Sequence, residues 1–220
     1  MRSSRDREAH PLETVYLVED DDDVRDSTSM LLRASGFTVE GFRDGDAFET
    51  ALPADAAGCC VLDVRLPGRD GLALHQALTE NGIGLPVIFI TGHGDIPMAV
   101  RAVAAGALDF LEKPFDETAL IDRIEKAFEI DRRRRSLDLA QAGIDARIER
   151  LTAREHDVLR LILDGRPNKV IAYELDVSIR TVEIHRANVM RKLECTTASD
   201  LVRTALSSTA YRNRIDVAER

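Results

Sequence analysis

The stretch VYLVEDD at residues 15–21 decides the reading of the chain: four apolar residues run straight into three carboxylates. An apolar run this short reads as a strand buried on both faces, the kind found in parallel sheets. Counted from Thr14 to Val18, it is the first of four such runs. Cys59–Leu62 leads to Asp63, Val87–Ile90 to Thr91, and Ala107–Leu111 to Lys113. In an open α/β sheet the carboxyl ends of the strands line one crevice. Carboxylates, a hydroxyl and an ammonium far apart in sequence therefore converge on one edge.

Working outward, the pattern predicts strands at 14–18, about 37–41, 59–62, 86–90 and 107–111. Helices are expected at about 22–35, 45–52, 70–81, 95–105 and 116–130. Asp44, Asp95 with Pro97, and Asp116 mark helix starts, and Gly36, Gly82 and Gly106 mark helix ends. Five strands alternating with helices predict a doubly wound parallel sheet with right-handed crossovers.

The rim residues suggest a chemistry. Glu19, Asp20 and Asp21 repel one another unless a cation sits among them. Oxygen donors without His or Cys favour Mg²⁺. Asp63, before the turn Arg65-Leu66-Pro67-Gly68, can share that ion and act as a nucleophile toward phosphorus. Thr91 offers a hydrogen bond to a phosphoryl oxygen and Lys113 a point charge. Charge neutralisation and positioning are most of what phosphoryl transfer needs. Taken singly, the acidic stretch also reads as a solvated helix N-terminus, Thr-Gly as a turn and Lys113 as a surface lysine.

VYLVEDD, LDVRLPGRDG (62–71), VIFITGHGD (87–95) and AGALDFLEKPF (105–115) resemble, in order and spacing, the receiver domain of two-component response regulators, a flavodoxin-like fold. That resemblance makes Asp63 the phosphoacceptor for a histidine kinase. It implies Mg²⁺ held by Glu19, Asp20, Asp63 and the backbone carbonyl of Arg65, with Asp21 beside them. Thr91 is then the switch hydroxyl, Lys113 the phosphate-contacting lysine before an often-cis proline, and Phe110 the switch aromatic. A phosphatase of the haloacid dehalogenase type would carry a second aspartate two positions after the nucleophile, which Asp63-Val64-Arg65 lacks.

The segment KAFEIDRRRRSLDLAQAGIDARIER (126–150) reads as an extended helix and linker. Arg132–Arg135 are open to two readings, a nucleic-acid clamp or a solvated helix continuation. Thr152 with Glu155 forms a capping box before a stripe of Leu151, Val158, Leu159, Ile162 and Leu163. Asn168 is expected to cap a short helix through Leu175. After a tight turn, Ser178 caps a helix to about Leu193, and Thr197 or Ser199 opens a last helix to about Ser207. Two short helices across a tight turn make a helix-turn-helix pattern, although periodicity alone equally allows a small bundle.

Composition favours the former. Val182, Val189 and Leu193 face inward, while Arg180, Glu183, Ile184, Ala187, Asn188 and Arg191 fall opposite, a mixed face suited to a major groove. Lys169, Arg186 and Lys192 flank it as candidate phosphate contacts, with Ser178 and Thr181 at the helix start. LTAREHDVL (151–159) and GRPNKVIAYELDVSIRTVEIHRANVMRKL (165–193) resemble the LuxR-type helix-turn-helix, and the two halves together a FixJ-type regulator. Some family members have lysines at the reading positions that here look like Glu183, Ile184 and Ala187, and Glu183 suits a cytosine amino group. His185 is either a phosphate contact or half-buried; His75 and His93 read as surface residues.

The expected organisation is a disordered tail at 1–13, a receiver at 14–128, a helical linker at 129–146 and a LuxR-type DNA-binding domain at 147–212. The first 128 residues carry 12 Lys and Arg against 24 Asp and Glu, and residues 147–220 carry 14 against 11. This contrast suits a cation site in one half and a polyanion partner for the other. With 44% apolar residues, and no run near the ~20 of a membrane span, a cytoplasmic globular protein without membrane association is expected. MRSSRDREAHP lacks the apolar core of a signal peptide. Cys59, Cys60 and Cys195 form no metal or disulfide spacing, and the first two read as buried core residues.

The implied function is a phosphorylation-activated DNA-binding transcriptional regulator of a two-component system. It accepts its own phosphoryl group and does not turn over external substrates. Expected partners are a cognate sensor histidine kinase, double-stranded operator DNA, RNA polymerase, and a second copy bound through a surface including Met98, Val100 and Arg101. The rival reading, a signalling adaptor with a helical protein-binding module, fits the basic flank less well.

Overall fold

The computed structural model describes residues 13–92, 96–104 and 106–211, with backbone alone at 96–99. Asp95, His93, the side chain of Met98 and residues 1–12 lie outside that description. Two compact units meet between Arg135 and Ser136.

In the first unit β1 (Thr14–Val18), β2 (Thr38–Phe42), β3 (Gly58–Asp63), β4 (Val87–Thr91) and β5 (Asp109–Glu112) form one sheet in the order β2-β1-β3-β4-β5. Every neighbouring pair is parallel. Between them run α1 (Asp22–Ala34), α2 (Gly45–Ala51), α3 (Gly71–Glu80) and α4 (Ile96–Ala104), and α5 (Glu117–Glu149) follows β5. The central strands are apolar throughout because both faces are covered. Tyr16, Val18, Cys60, Leu62 and Phe89 pack with Phe48, Leu74 and Leu78. Their alternates Val15, Leu17, Cys59, Val61, Ile88 and Ile90 pack with Leu32, Leu120 and Ile124 on the other face. Each such fully buried side chain contributes roughly 1.5–3 kcal/mol.

β5 starts two residues later than its apolar run. Gly106 (φ 93°) turns the chain, and the Ala107 N–H closes α4 by bonding the Ala102 carbonyl. Asp44 caps α2 through the Ala47 N–H, and Asp116 accepts the Ala119 N–H at the start of α5. Glu13, expected in the tail, is buried and paired with Arg132.

The expected linker 129–146 is part of the single helix α5, and its two ends are packed rather than free. Asp131 is buried in the first unit, while Ile144 and Ile148 belong to the core of the second. The second unit adds α6 (Ala153–Leu163), α7 (Asn168–Glu174), α8 (Ile179–Lys192) and α9 (Ala198–Ser207). Val158, Leu161, Ile171, Ala172 and Val182 close α6, α7 and α8 on one another. Leu151, Leu159, Val189, Leu193, Leu201 and Ala205 join α9 to them. Thr152 and Glu155 form the capping box, and Ser178 and Thr197 cap α8 and α9. Asn168 does not cap α7: Pro167 occupies that position without a side-chain bond, and Asn168 is the first helical residue.

Candidate phosphoacceptor and nucleic-acid interface

The strand order reverses between β1 and β3, the switch point at which such sheets bind ligands. Glu19 follows β1 and Asp63 ends β3. Carboxylate oxygens of Glu19, Asp20 and Asp63 lie within 4.8 Å of one another. Glu19 and Asp63 are buried, whereas Asp20 is exposed. The ammonium of Lys113 lies between the buried pair, donating to Glu19 Oε2 at 2.5 Å and to Asp63 Oδ2 at 2.6 Å. The other Asp63 oxygen, Oδ1, accepts the Arg65 N–H at 2.9 Å.

The backbone explains the convergence. The Lys113 N–H bonds the Thr91 carbonyl at 2.7 Å, continuing the β4–β5 pairing past the last strand residue, so Lys113 and Thr91 reach the same edge. Thr91 is buried at the end of β4, its hydroxyl 3.4 Å from the Gly92 carbonyl. Phe110 lies on β5 opposite Phe89 and is exposed. Gly71 opens α3 directly against the phosphoacceptor candidate: a Cβ there would stand 2.2 Å from the Asp63 carbonyl oxygen. The Lys113–Pro114 bond is cis.

Burial pushes the Glu19 carboxyl up to about 7; Lys113 opposes this and the neighbouring Asp63 charge adds to it. Burial works against the Lys113 ammonium, but its bonds to Asp63 and Glu19 outweigh that and hold its pKa above the ordinary lysine value. Three converging carboxylates with one ammonium leave net negative charge in a half-buried crevice. An oxygen-only donor set of this kind fits a hard divalent cation. Asp21 stands apart from it, capping α1 by accepting the Asp23 and Val24 N–H groups.

In the second unit α7 and α8 are joined by a turn in which Asp176 takes a left-handed conformation (φ 52°). On α8, Val182 and Val189 are buried, while Arg180, Glu183, Ile184, Ala187 and Arg191 are exposed. Thr181, Arg186 and Asn188 are half-buried beside them, and Lys169 is exposed on α7. Ser178 accepts the Thr181 N–H as the α8 cap. Lys192 departs from its expected phosphate contact: its ammonium bonds Glu155 at 2.6 Å and the Arg150 carbonyl at 3.1 Å, tying the end of α8 to the start of α6.

Residues 15–125 match the response regulator receiver domain, and residues 149–205 match the luxR family of bacterial regulatory proteins. The chain is 44% identical over 200 residues to the transcriptional regulatory protein FixJ of Rhizobium meliloti (strain 1021), covering 88% of this chain and 95% of that protein. The chain belongs to the response regulators. It is also 42% identical over 189 residues to the response regulator protein TodT of Pseudomonas putida, covering 86% of this chain and 83% of TodT. Among solved structures, the response regulator StyR is 43% identical with a TM-score of 0.79, covering 87% of this chain and 97% of StyR. Full-length FixJ from B. japonicum is 42% identical with a TM-score of 0.56, covering 89% and 96%. This response regulator therefore joins a receiver to a LuxR-type DNA-binding domain and acts in transcriptional regulation.

Several residues of this response regulator escape a sequence reading. His75 is buried against Phe89, not on the surface, and burial lowers its pKa. His185, by contrast, is half-buried, one of its two expected placements, with its Nδ1 without a hydrogen-bond partner. Tyr173 is almost wholly exposed on α7, and Ile179 is exposed at the start of α8, making both candidate groove or backbone contacts. The apolar pattern of α7 supplies a signal only for Ile171 and Ala172, which face the core. Arg25 holds α1 against the acidic turn by donating to the Glu19 carbonyl at 2.9 Å.

Proposed function

We propose that Asp63 accepts a phosphoryl group from a sensor histidine kinase. The observation that carries this is the gathering of Glu19, Asp20 and Asp63 within 4.8 Å, with Lys113 bonded to two of them. An Asp63 carboxylate oxygen attacks the donor phosphorus, the phosphorus–nitrogen bond to the donor histidine breaks, and an acyl phosphate forms. Glu19, Asp20, Asp63 and the Arg65 carbonyl would hold Mg²⁺, which when bound supplies neutralising charge for the phosphoryl oxygens. Lys113 adds a second positive charge, and Thr91 donates to a phosphoryl oxygen as the switch. Phosphorylation promotes pairing of two receivers through a surface on α4 and β5, where Val100, Val103 and Phe110 are exposed beside Arg101. Two linked α8 helices then bind a two-half-site operator in the cytoplasm.

The Asp63→Asn variant tests the assignment. Incubated with a small acyl phosphate donor and Mg²⁺, the wild type gains one phosphoryl mass by intact-mass spectrometry and the variant gains none, because an amide is no substitute for the carboxylate nucleophile. An adduct persisting in the variant would remove Asp63 from the role.

A further inference from the structure

Asp131 and three of the arginines that follow it form an ionic cluster around a buried carboxylate at the end of the sheet opposite Asp63. Asp131 is fully buried and accepts the Gly58 N–H at 2.9 Å, Arg134 at 2.7 Å and Arg135 at 2.7 Å. Glu13 receives Arg132 at 2.8 Å and Arg135 at 3.5 Å. The Arg134 side chain lies over Gly84, where a Cβ would come within 2.9 Å of its Cδ. Three of the four arginines are thus turned to the receiver. Their targets are the strand starts: Glu13 leads into β1, Gly58 opens β3 and Gly84 precedes β4.

The starts of β1 and β3 are pressed together without slack. Gly58 has φ +123°, and a Cβ on it would fall 2.1 Å from the Thr14 carbonyl oxygen. The same two strands deliver Glu19 and Asp63 at their other ends. A buried carboxylate carries a desolvation penalty that geometry and full bonding must offset. Here the bonds serve one end: they fasten residues 131–135 of α5 to the base of the strands that bear the acidic site.

We propose that Asp131 is a positioning residue that couples the receiver to the linker helix. It grips the start of β3 directly through Gly58 and the residue before β1 through Arg135 and Glu13, so a displacement at Asp63 is carried down densely packed strands and reaches α5 at the sheet base, not only through α4 and β5. The proposal rests on the reading of Asp63 as phosphoacceptor.

The full chain is compared as wild type, Asp131→Asn and Arg135→Gln. Asn keeps an acceptor for Gly58 but loses the charge that holds both guanidinium groups. Arg135 is partly exposed, so its replacement leaves the buried carboxylate bonded to Gly58 and Arg134. Three quantities are read: the acyl phosphate adduct by intact mass, hydrogen exchange over 129–135, and affinity for DNA with and without phosphodonor. The DNA is a paired site selected from a random pool by the phosphorylated wild type. Both variants should form the wild-type adduct and lose exchange protection over 129–135. The gain in DNA affinity on phosphorylation should fall about fivefold or more in Asp131→Asn and less in Arg135→Gln. Should Asp131→Asn fail to fold, Arg135→Gln decides in the same direction. A wild-type gain kept in full by the folded variants overturns the coupling alone. No gain in the wild type overturns phosphorylation control itself, and the coupling with it.

Discussion

Lys113 is the residue on which the resting acidic site depends. It pairs with both Glu19 and Asp63 at hydrogen-bond distance, so without cation it supplies part of the positive charge that Mg²⁺ would bring. Lys113→Met should lower the stability of the metal-free receiver by about 2 kcal/mol, discounted from a fully buried pair because the ammonium is partly exposed. Excess Mg²⁺ should restore part of that loss by binding the folded state. Melting curves with and without Mg²⁺ check this, and an unchanged metal-free melt would mean that the pair contributes nothing. Asp20→Ala, at the exposed member of the cluster, should instead weaken Mg²⁺ binding with little change in the metal-free melt, read by metal titration. The positions of Glu19, Asp63, Thr91 and Lys113 were legible in sequence because each follows an apolar strand. The Lys113 contacts were not, since they depend on side-chain reach across strands distant in sequence. Nor was the burial of His75, because one polar residue on a helix carries no periodic signal.

Among the elements, α6 and α8 are joined at their ends by one carboxylate. Glu155 closes the capping box with Thr152 and also receives Lys192. Burial raises its carboxyl, but the Lys192 ammonium and the Thr152 N–H outweigh burial and leave its pKa depressed. A carboxyl depressed in the fold contributes stability above the ordinary glutamate value and loses it as pH falls through the lower, folded value. The DNA-binding domain should therefore weaken on the acid side, and Glu155→Gln should flatten that part of the profile. Glu155→Ala, which also removes the cap, should cost about 2 kcal/mol, measured by denaturant unfolding. The capping box could be read directly from its three-residue spacing; the Lys192 bond could not, because its partner lies 37 residues away. Asn168 misled for a related reason: Asn is a favoured cap, but here Pro167 already holds the extended backbone of the capping position. The Arg132–Arg135 run illustrates the same limit, since charge patterning does not reveal that Asp131 is buried and holds Arg134 and Arg135 one turn on.

At the scale of the whole molecule, the proposed phosphorylation adds charge and acceptor oxygens to Asp63 and should shift the chain from monomer toward dimer. Sedimentation with and without phosphodonor should show that shift, and none in Asp63→Asn. A chain that stays monomeric while its operator affinity rises would instead point to release of α8 from a masked state. DNA binding should also fall steeply with salt, because Arg and Lys contacts to phosphates release counterions. The proposed control of paired-site DNA binding rests on the state of Asp63. Its most direct test titrates wild type and Asp63→Asn against a selected two-half-site DNA and a single half-site, with Mg²⁺, with and without phosphodonor. Phosphodonor should tighten wild-type binding to the paired site about a hundredfold, barely change the single half-site, and leave the variant unaffected throughout. Equal gains for wild type and Asp63→Asn, or equal gains on paired and single sites, would contradict it.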